Sequence, residues 1–180
     1  MTRPDRTLYV VVCAAGPAGD VGRLVALAQD EQWIVQVIAT PSALKFIDVP
    51  ELEQQTGRPV RSQYRDPGEP RSPRADAIIV APATYNTINK FAEGIADTYA
   101  LGVLSEAPGL GIPVVILPFV NSALASRAPF LRSVASLRAE GVRVLFGPGQ
   151  FEPHPPSSGG SRFDSYPWDR ALAEVARSGD

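Results

Sequence analysis

The stretch LYVVVCAAGPAGDVGRLVALA, residues 8–28, contains a complete strand–loop–helix unit. Leu8 to Cys13 form a continuous apolar, β-branched run, which is typical of a strand buried on both faces of a parallel sheet. A turn of small residues at 16–19 follows, and Asp20 can then cap a helix. The apolar residues of that helix recur at spacings of three and four: Val21, Leu24, Val25 and Ala28. This unit predicts an α/β architecture.

The same alternation continues along the chain. Further strands are predicted at Trp33–Ala39, Asp76–Ala81, Pro113–Leu117 and Val142–Phe146. Helical spacing is predicted at Pro41–Ile47, Ile88–Gly94, Ala96–Leu104, Phe130–Leu137 and Pro167–Arg177. Alternating strands and helices imply right-handed crossovers. We therefore predict a doubly wound, Rossmann-like parallel sheet with helices on both faces, and ligands in such sheets bind beyond the carboxyl ends of the strands.

The composition is that of an ordinary globular chain. It has 180 residues, 44% apolar and 20% charged, which favours a single domain over residues 1–180. Its 17 basic and 19 acidic side chains give a net charge of −2, so we expect neither a nucleic-acid partner nor a membrane partner. No stretch approaches the roughly 20 apolar residues of a membrane span, and we expect a cytoplasmic protein. One cysteine, Cys13, and one histidine, His154, exclude a disulfide framework and an ordinary zinc site, so no metal is expected.

Two segments interrupt the alternation. Residues 59–74 are polar and rich in proline, and residues 147–168 are richer still in proline, glycine and serine. Both are predicted loops. We call residues 147–168 the flap, which is either a disordered surface segment or a lid that orders over a ligand. His154 lies within it and is interpreted as a solvated loop histidine, with approach to a bound ligand as the alternative.

Two small polar segments follow the first two strands. The glycines at 16, 19 and 22 lack the spacing of the dinucleotide fingerprint, which disfavours NAD. This turn can bind a phosphate through backbone N–H groups, or it can merely start a helix. Thr40 and Ser42 follow the second strand, where their hydroxyls can bind phosphate or cap a helix. Phe46, taken alone, is expected in the core.

The most informative loop is PATYNT, residues 82–87, between a predicted strand and a predicted helix. Backbone amides and an asparagine there can pair with the edge of a flat heterocycle such as an isoalloxazine. The alternative is that Asn86 or Thr87 simply caps the next helix. Asn121, on the loop after the next strand, favours the binding interpretation because both loops leave the same edge of the sheet.

These segments carry a family resemblance. PATYNTINKFAEGIADT (82–98), LPFVNSALASRAPFLRSVASLRAEG (117–141) and TPSALKFI (40–47) are similar to motifs of the homo-oligomeric flavin-containing cysteine decarboxylases. That family includes phosphopantothenoylcysteine decarboxylase and the peptidyl-cysteine decarboxylases of lantibiotic biosynthesis. The resemblance runs from about residue 8 to residue 146 and implies FMN as the cofactor. It also implies a flavin site completed by a neighbouring subunit, and hence a homotrimer or a multiple of three.

The resemblance assigns a role to each matching residue. It assigns to the flavin Gly16, Pro17 and Ala18 in the first loop, Thr40, Ser42 and Phe46 after the second strand, Thr84, Tyr85, Asn86 and Thr87 along the ring, and the backbone at Phe119. Asn121 matches the asparagine that holds the substrate carboxylate.

The departures from the family concern its chemistry. Its catalytic histidine should fall between residues 62 and 74, where this chain has none, and the cysteine of its flap is also missing. Tyr64, Asp66 and Glu69 could replace the base, although an exposed carboxylate titrates too low for the task. We therefore expect an FMN-binding flavoprotein of altered chemistry. The alternatives are an oxidative decarboxylase that converts a cysteine-containing small molecule or peptide to an enethiol, a noncatalytic flavin-bound partner or regulatory subunit, and a flavin prenyltransferase.

Overall fold

The structure, a computed structural model, describes residues 6–177, so both ends of the predicted domain lie outside the described part. Its centre is a five-stranded sheet in the order β2-β1-β3-β4-β5. The strands are β1 (Arg6–Val12), β2 (Trp33–Ala39), β3 (Ala77–Ala83), β4 (Val114–Pro118) and β5 (Arg143–Val144). All four neighbouring pairs are parallel. The predicted doubly wound, Rossmann-like parallel sheet is confirmed.

Helices cover both faces of this sheet. They are α1 (Gly22–Asp30), α2 (Val49–Thr56), α3 (Tyr85–Ala92), α4 (Tyr99–Glu106), α5 (Ser122–Ala125), α6 (Ala128–Ala139) and α7 (Trp168–Ala176). Short 3₁₀ helices span Gly16–Asp20, Pro41–Lys45 and Gly159–Arg162. Along β1, Val10 packs in the core under α1 and α7, while Val11 packs in the core under α3, α4 and α6. Alternate side chains of the same strand therefore build the two cores.

The strand order places a topological switch beside β1. The connection from β1 leads outward to β2 on one side, while β3 pairs with β1 on the other side. The loops after β1 and β3 therefore leave in opposite directions and open a crevice at the carboxyl edge of the sheet. The amino end of β3 is fixed by Asp76, whose carboxylate accepts from the Thr7 N–H at 2.7 Å.

The structure corrects the predicted start of α1. The residue at the cap position is Val21, and no side chain caps this helix. Asp20 does not cap it, because the 3₁₀ helix Gly16–Asp20 continues directly into α1 and the Val21 carbonyl accepts from the Val25 N–H at 3.1 Å.

Two further elements differ from the sequence-based prediction. Helix α2 was not predicted, because Leu52 is its one buried residue and it therefore shows little periodicity. Strand β5 is shorter than the predicted Val142–Phe146. The Leu145 N–H still donates to the Ile116 carbonyl at 2.9 Å, and on the outer edge of the strand the Arg138 guanidinium binds the carbonyls of Val144 and Phe146 at 2.7 and 2.5 Å.

Both predicted loops are packed against the sheet. Arg61 lies beside β2, donating from its N–H to Val37 at 3.1 Å and accepting from Ala39 at 2.8 Å. The flap forms a 3₁₀ helix of its own and pairs with the loop after β4 through an Asn121–His154 bridge. Within residues 6–177, no helix is long and apolar enough to cross a membrane.

Candidate functional site

The ends of four strands are held together by backbone hydrogen bonds at the carboxyl edge of the sheet. The Cys13 N–H donates to the Pro82 carbonyl at 3.1 Å and so joins β1 to β3. The Thr40 N–H donates to the Val12 carbonyl at 2.9 Å, and the Phe119 N–H donates to the Ala83 carbonyl at 2.8 Å. The Gly16 turn, the segment after β2, the loop before α3 and the loop after β4 therefore share one edge. This is the edge that the sequence predicted for a ligand.

The turn after β1 is covered by the flap. Pro17 and Ala18 are buried, and the Ala18 N–H donates to the Ala15 carbonyl at 2.9 Å. The Phe163 ring lies against Gly16, since a Cβ atom added to this glycine would be 2.0 Å from the ring Cε1 atom. The absence of a side chain at Gly16 is what permits this close approach.

The segment after β2 leaves its hydroxyls uncommitted. Thr40 occupies the cap position of the 3₁₀ helix Pro41–Lys45, but its side chain makes no capping hydrogen bond. Ser42 is exposed. Phe46 is 48% exposed, so its interpretation as a core residue is wrong. This strand end therefore carries an exposed hydroxyl, an exposed ring and the hydroxyl of the half-buried Thr40, which makes no capping bond.

The loop before α3 divides its polar side chains between capping and exposure. Thr84 caps the helix, because its hydroxyl oxygen accepts from the Thr87 N–H at 3.3 Å and its O–H donates to the Thr87 hydroxyl at 3.1 Å. Thr87 is buried and also accepts from the Cys13 thiol at 3.4 Å. The capping alternative for Asn86 and Thr87 is wrong. Asn86 is exposed in the first turn of α3, which leaves its amide free for a ligand.

Two neighbours of this loop have structural contacts. Tyr85 stacks on Phe130 of α6, with ring centroids 5.7 Å apart and an interplanar angle of 19°. Cys13 is buried, and this burial raises the pKa of its thiol. A thiol of raised pKa is a poor nucleophile at neutral pH.

The loop after β4 brings Asn121 next to the flap. The Asn121 side-chain oxygen accepts from the Leu124 N–H at 2.9 Å and caps α5, which leaves its amide group to donate elsewhere. The next residue, Ser122, donates its N–H to the His154 carbonyl at 2.8 Å. Asn121 and His154 are therefore neighbours along a short parallel bridge.

His154 is buried, with 7% of its surface exposed, so its interpretation as a solvated loop residue is wrong. Its ring lies 4.6 Å from the ring of Phe119, and its Nδ1 atom is buried without a hydrogen-bond partner. Burial, followed by the nearby Arg162 charge, lowers the pKa of His154. A lowered pKa favours the neutral form of the imidazole at pH 7.

An aromatic cluster holds the flap in this position, and the sequence analysis missed it. Its members are Phe119, Phe151, Phe163 and Tyr166. Tyr166 is fully buried and donates its hydroxyl to the Leu117 carbonyl at 2.6 Å, and its burial raises its pKa well above the usual value. The available signal was the run of aromatic residues within a segment otherwise rich in proline, glycine and serine.

Two of the candidate bases of residues 59–74 are exposed or ion-paired. Tyr64 is 67% exposed, and the Glu69 carboxylate pairs with Arg61 at 3.0 Å. Across the described residues, no three histidine, cysteine or acidic side chains converge in a way that could hold a metal ion.

Comparisons with known proteins relate this chain to the flavoproteins. The family model described as Flavoprotein matches residues 2–159. The coenzyme A biosynthesis bifunctional protein CoaBC of Mycobacterium bovis is 33% identical over 116 residues, 62% of this chain and 27% of that protein. Dihydromethanopterin reductase (acceptor) of Methanosarcina mazei is 38% identical over 58 residues, 32% of this chain and 24% of that protein.

A solved structure extends the similarity to nearly the whole chain. The FMN-dependent cysteine decarboxylase TvaF from thioviridamide biosynthesis matches with a TM-score of 0.72 and 25% identity, covering 95% of this chain and 98% of that one. The match to the curated relatives is shorter, since the aligned region is about a quarter of their length.

Proposed function

The chain belongs to the flavoprotein family, and from that premise we propose that it binds FMN, one molecule per chain, at the carboxyl edge of its sheet. The observation that carries this proposal is the convergence of the Gly16 turn, the Thr40–Ser42 segment and the Thr84–Thr87 loop at the β1/β3 switch. FMN has one phosphate and one flat ring, which match one set of hydroxyls and one amide-bearing loop. The similarity to TvaF, an FMN-dependent protein, supports FMN among the flavins.

The residues present fit the phosphate end of this cofactor. Thr40 makes no capping bond and Ser42 is exposed, so both hydroxyls can donate to phosphate oxygens. Gly16, Pro17 and Ala18 bring little side-chain bulk of their own, and the Phe163 ring of the flap lies against Gly16. Phe46, nearly half exposed beside this segment, supplies an apolar surface for the part of the cofactor next to the phosphate.

The ring end fits the loop before α3. Asn86 is exposed there, and its amide offers both a donor and an acceptor to the polar edge of the ring. The side chains of Thr84 and Thr87 bond to each other, and Thr87 also accepts from the Cys13 thiol, which fixes the loop against β1. Because these hydroxyls are already engaged, the backbone of this loop would contact the ring. FMN, when bound, supplies a two-electron acceptor at this edge.

Flavin absorbance tests the binding proposal directly. The purified protein is expected to be yellow, or to become so on FMN titration, with saturation at one FMN per chain. FAD and NAD are the competitors to compare. A colourless protein with no spectral change on FMN addition would contradict the proposal.

We also propose that the chain forms a homotrimer or a multiple of three, because the resemblance places a second subunit against each flavin. The surface offers apolar side chains for such contacts, since Leu110 is 54% exposed, Leu131 47% and Ile95 43%. Phe91, by contrast, is buried in the core and supplies no contact surface. Light scattering should give a mass of at least three chains. A mass of one chain, 19.2 kDa, with flavin bound would refute this assembly.

The chemistry of the site is proposed to differ from cysteine decarboxylation. Residues 62–74, where the resemblance places a histidine, hold none, and the exposed Tyr64 and ion-paired Glu69 are poor substitutes. A positioned acid or base supplies about 10²- to 10⁴-fold in rate. The similarity to a reductase over 58 residues supports a redox reaction of another kind.

A second candidate function, oxidative decarboxylation, is favoured by one observation. His154 is buried beside Asn121, with its Nδ1 atom unpartnered. The free amide of Asn121 would hold a substrate carboxylate while His154 takes the thiol proton. FMN held at this edge would supply the acceptor for the hydride equivalent that leaves the thiol-bearing carbon. The carboxyl group would then leave as CO₂, and the electron pair of the broken bond would move to sulfur, giving an enethiolate.

Product masses separate these functions. FMN-loaded protein is incubated with phosphopantothenoylcysteine and with peptides ending in cysteine, and loss of CO₂ and two hydrogens is monitored. We expect no rapid loss. Anaerobic reduction of the flavin by another substrate would then support altered chemistry, whereas stoichiometric flavin that no substrate reduces would support a noncatalytic partner.

Rapid loss of that mass would overturn the proposal of altered chemistry. In that case His154→Gln should abolish turnover while FMN absorbance is retained, as the decarboxylase alternative requires. Full activity of that variant would refute the role given to His154.

A further inference from the structure

The single histidine of the chain attaches the flap to the carboxyl edge of the sheet. The His154 carbonyl accepts from the Ser122 N–H at 2.8 Å, and the residue pairs with Asn121 in a short parallel bridge. The side chain is buried as well, since 7% of the residue's surface is exposed. His154 therefore holds the flap on the loop after β4 through both its backbone and its ring.

The imidazole of His154 lies between an aromatic ring and a glycine. On one side, the centroid of the Phe119 ring is 4.6 Å from its own. On the other side, the Nε2 atom is 3.0 Å from the position that a Cβ atom on Gly159 would take. The Nδ1 atom is buried without a hydrogen-bond partner. A buried polar atom without a partner is costly, and a buried charge without a partner costs far more.

The charges around this imidazole oppose its protonation. Arg162, on the 3₁₀ helix of the flap, is the charged side chain that acts on it, and its positive charge repels an imidazolium. The acidic side chains of the flap, Glu152 and Asp164, are exposed, and among the described residues neither forms an ion pair with His154. The facing segment, residues 117–126, has no charged side chain. A protonated imidazole in this position would therefore lack any negative partner.

The other contacts that hold the flap do not titrate near neutral pH. The Phe163 ring lies against Gly16 and is apolar. Tyr166 donates its hydroxyl to the Leu117 carbonyl at 2.6 Å, and burial raises its pKa well above the usual value. His154 is therefore the contact whose charge changes in the range where an ordinary histidine titrates.

We propose that His154 is a pH-sensitive switch: protonation of its imidazole releases the flap from the loop after β4 and uncovers the turn at Gly16. The attached flap holds a neutral imidazole, whereas a released flap exposes the ring to water, which hydrates the positive charge. The released histidine takes up a proton near its usual pKa of about 6.5, so a falling pH favours release. Each pH unit below that value shifts the equilibrium by up to about tenfold. The switch concerns the flap alone and does not depend on which cofactor the chain binds.

Proton NMR and hydrogen exchange test this proposal on the purified protein. Because the chain has one histidine, its ring C–H signal is unambiguous, and it should titrate with a midpoint below 6.5. The Ser122 amide reports release, because its hydrogen bond to the His154 carbonyl breaks when the flap leaves. Its protection factor should fall several-fold, up to about tenfold, between pH 7.5 and pH 5.5. The Ile78 amide, which donates to the Pro113 carbonyl at 2.9 Å, should stay better protected than Ser122 at both values, because the sheet remains intact.

Two variants separate this switch from general effects of acid. His154→Gln removes the titrating group, so the protection of Ser122 should no longer change with pH. The matched control Glu152→Gln removes an exposed titratable side chain from the same flap and should keep the full pH dependence. The proposal is overturned if Ser122 keeps its protection while His154 titrates, if His154→Gln retains the pH dependence, or if Ser122 and Ile78 are equally protected. A histidine midpoint of 6.5 or above in the unaltered protein would equally overturn it, whether or not the His154→Gln variant folds.

Discussion

Replacement of Gly16 by alanine tests how the flap sits on the sheet edge. The new Cβ atom would meet the Phe163 ring at 2.0 and 2.2 Å, so one of the two must move. The ring is the end of a side chain on the flap, and it can move only by leaving Gly16 and loosening its contact with Phe119, whose centroid is 5.8 Å away. Such overpacking typically lowers the free energy of unfolding by about 1–3 kcal/mol, and we expect the lower half of that range.

A double-mutant cycle assigns this cost to one contact. In a Phe163→Ala background the ring is gone, so Gly16→Ala should be nearly neutral and the interaction free energy should reach about 1 kcal/mol. Urea denaturation measures the four stabilities, and hydrogen exchange of the flap amides should show faster exchange in Gly16→Ala alone. Gly160→Ala is the matched control, because an added Cβ atom there meets nothing within 4 Å. Additive effects of the two substitutions would refute the inferred contact.

Two further predictions concern Tyr166 of the aromatic cluster and His154, whose ring contacts Phe119 of that cluster. Tyr166→Phe removes the donor to the buried Leu117 carbonyl and should lower the free energy of unfolding by about 1–2 kcal/mol in urea denaturation, while Tyr64→Phe, at a mostly exposed ring, should change little. Burial lowers the pKa of folded His154, so the unfolded chain binds the proton first as the pH falls below about 6.5. Stability should therefore drop from pH 7 to pH 5, and less so in His154→Gln; an unchanged slope in that variant would contradict the assignment.

Most of the fold was predictable because strands β1, β3 and β4 contain continuous apolar runs. Strand β2 occupies the predicted Trp33–Ala39, since polar residues bound it on both sides. Strand β5 was overestimated because an apolar run does not show where strand pairing ends, and only Arg143 and Val144 pair with β4. Helix α2 was missed because a helix with one buried residue has almost no apolar stripe.

The candidate site was predictable where topology alone determines position. Parallel strands bring the segments after β1, β2 and β3 to one edge whatever their side chains are. The packing of the flap was not predictable, because its contacts with Gly16 and Phe119 join residues that are far apart in sequence. The burial of His154 follows from that packing, and a loop rich in proline and glycine gives no local sign of it.

Comparison of FMN affinity between two variants tests the proposed cofactor site most directly. Asn86→Leu removes an exposed amide at the proposed ring edge, and Gln54→Leu makes the same kind of change on α2, outside the loop before α3. Loss of a hydrogen bond to a buried ring edge costs about 1–3 kcal/mol, so Asn86→Leu should raise the FMN dissociation constant at least several-fold. Gln54→Leu should leave it unchanged. Equal FMN affinity of the two variants would contradict the placement of the flavin ring against the loop before α3.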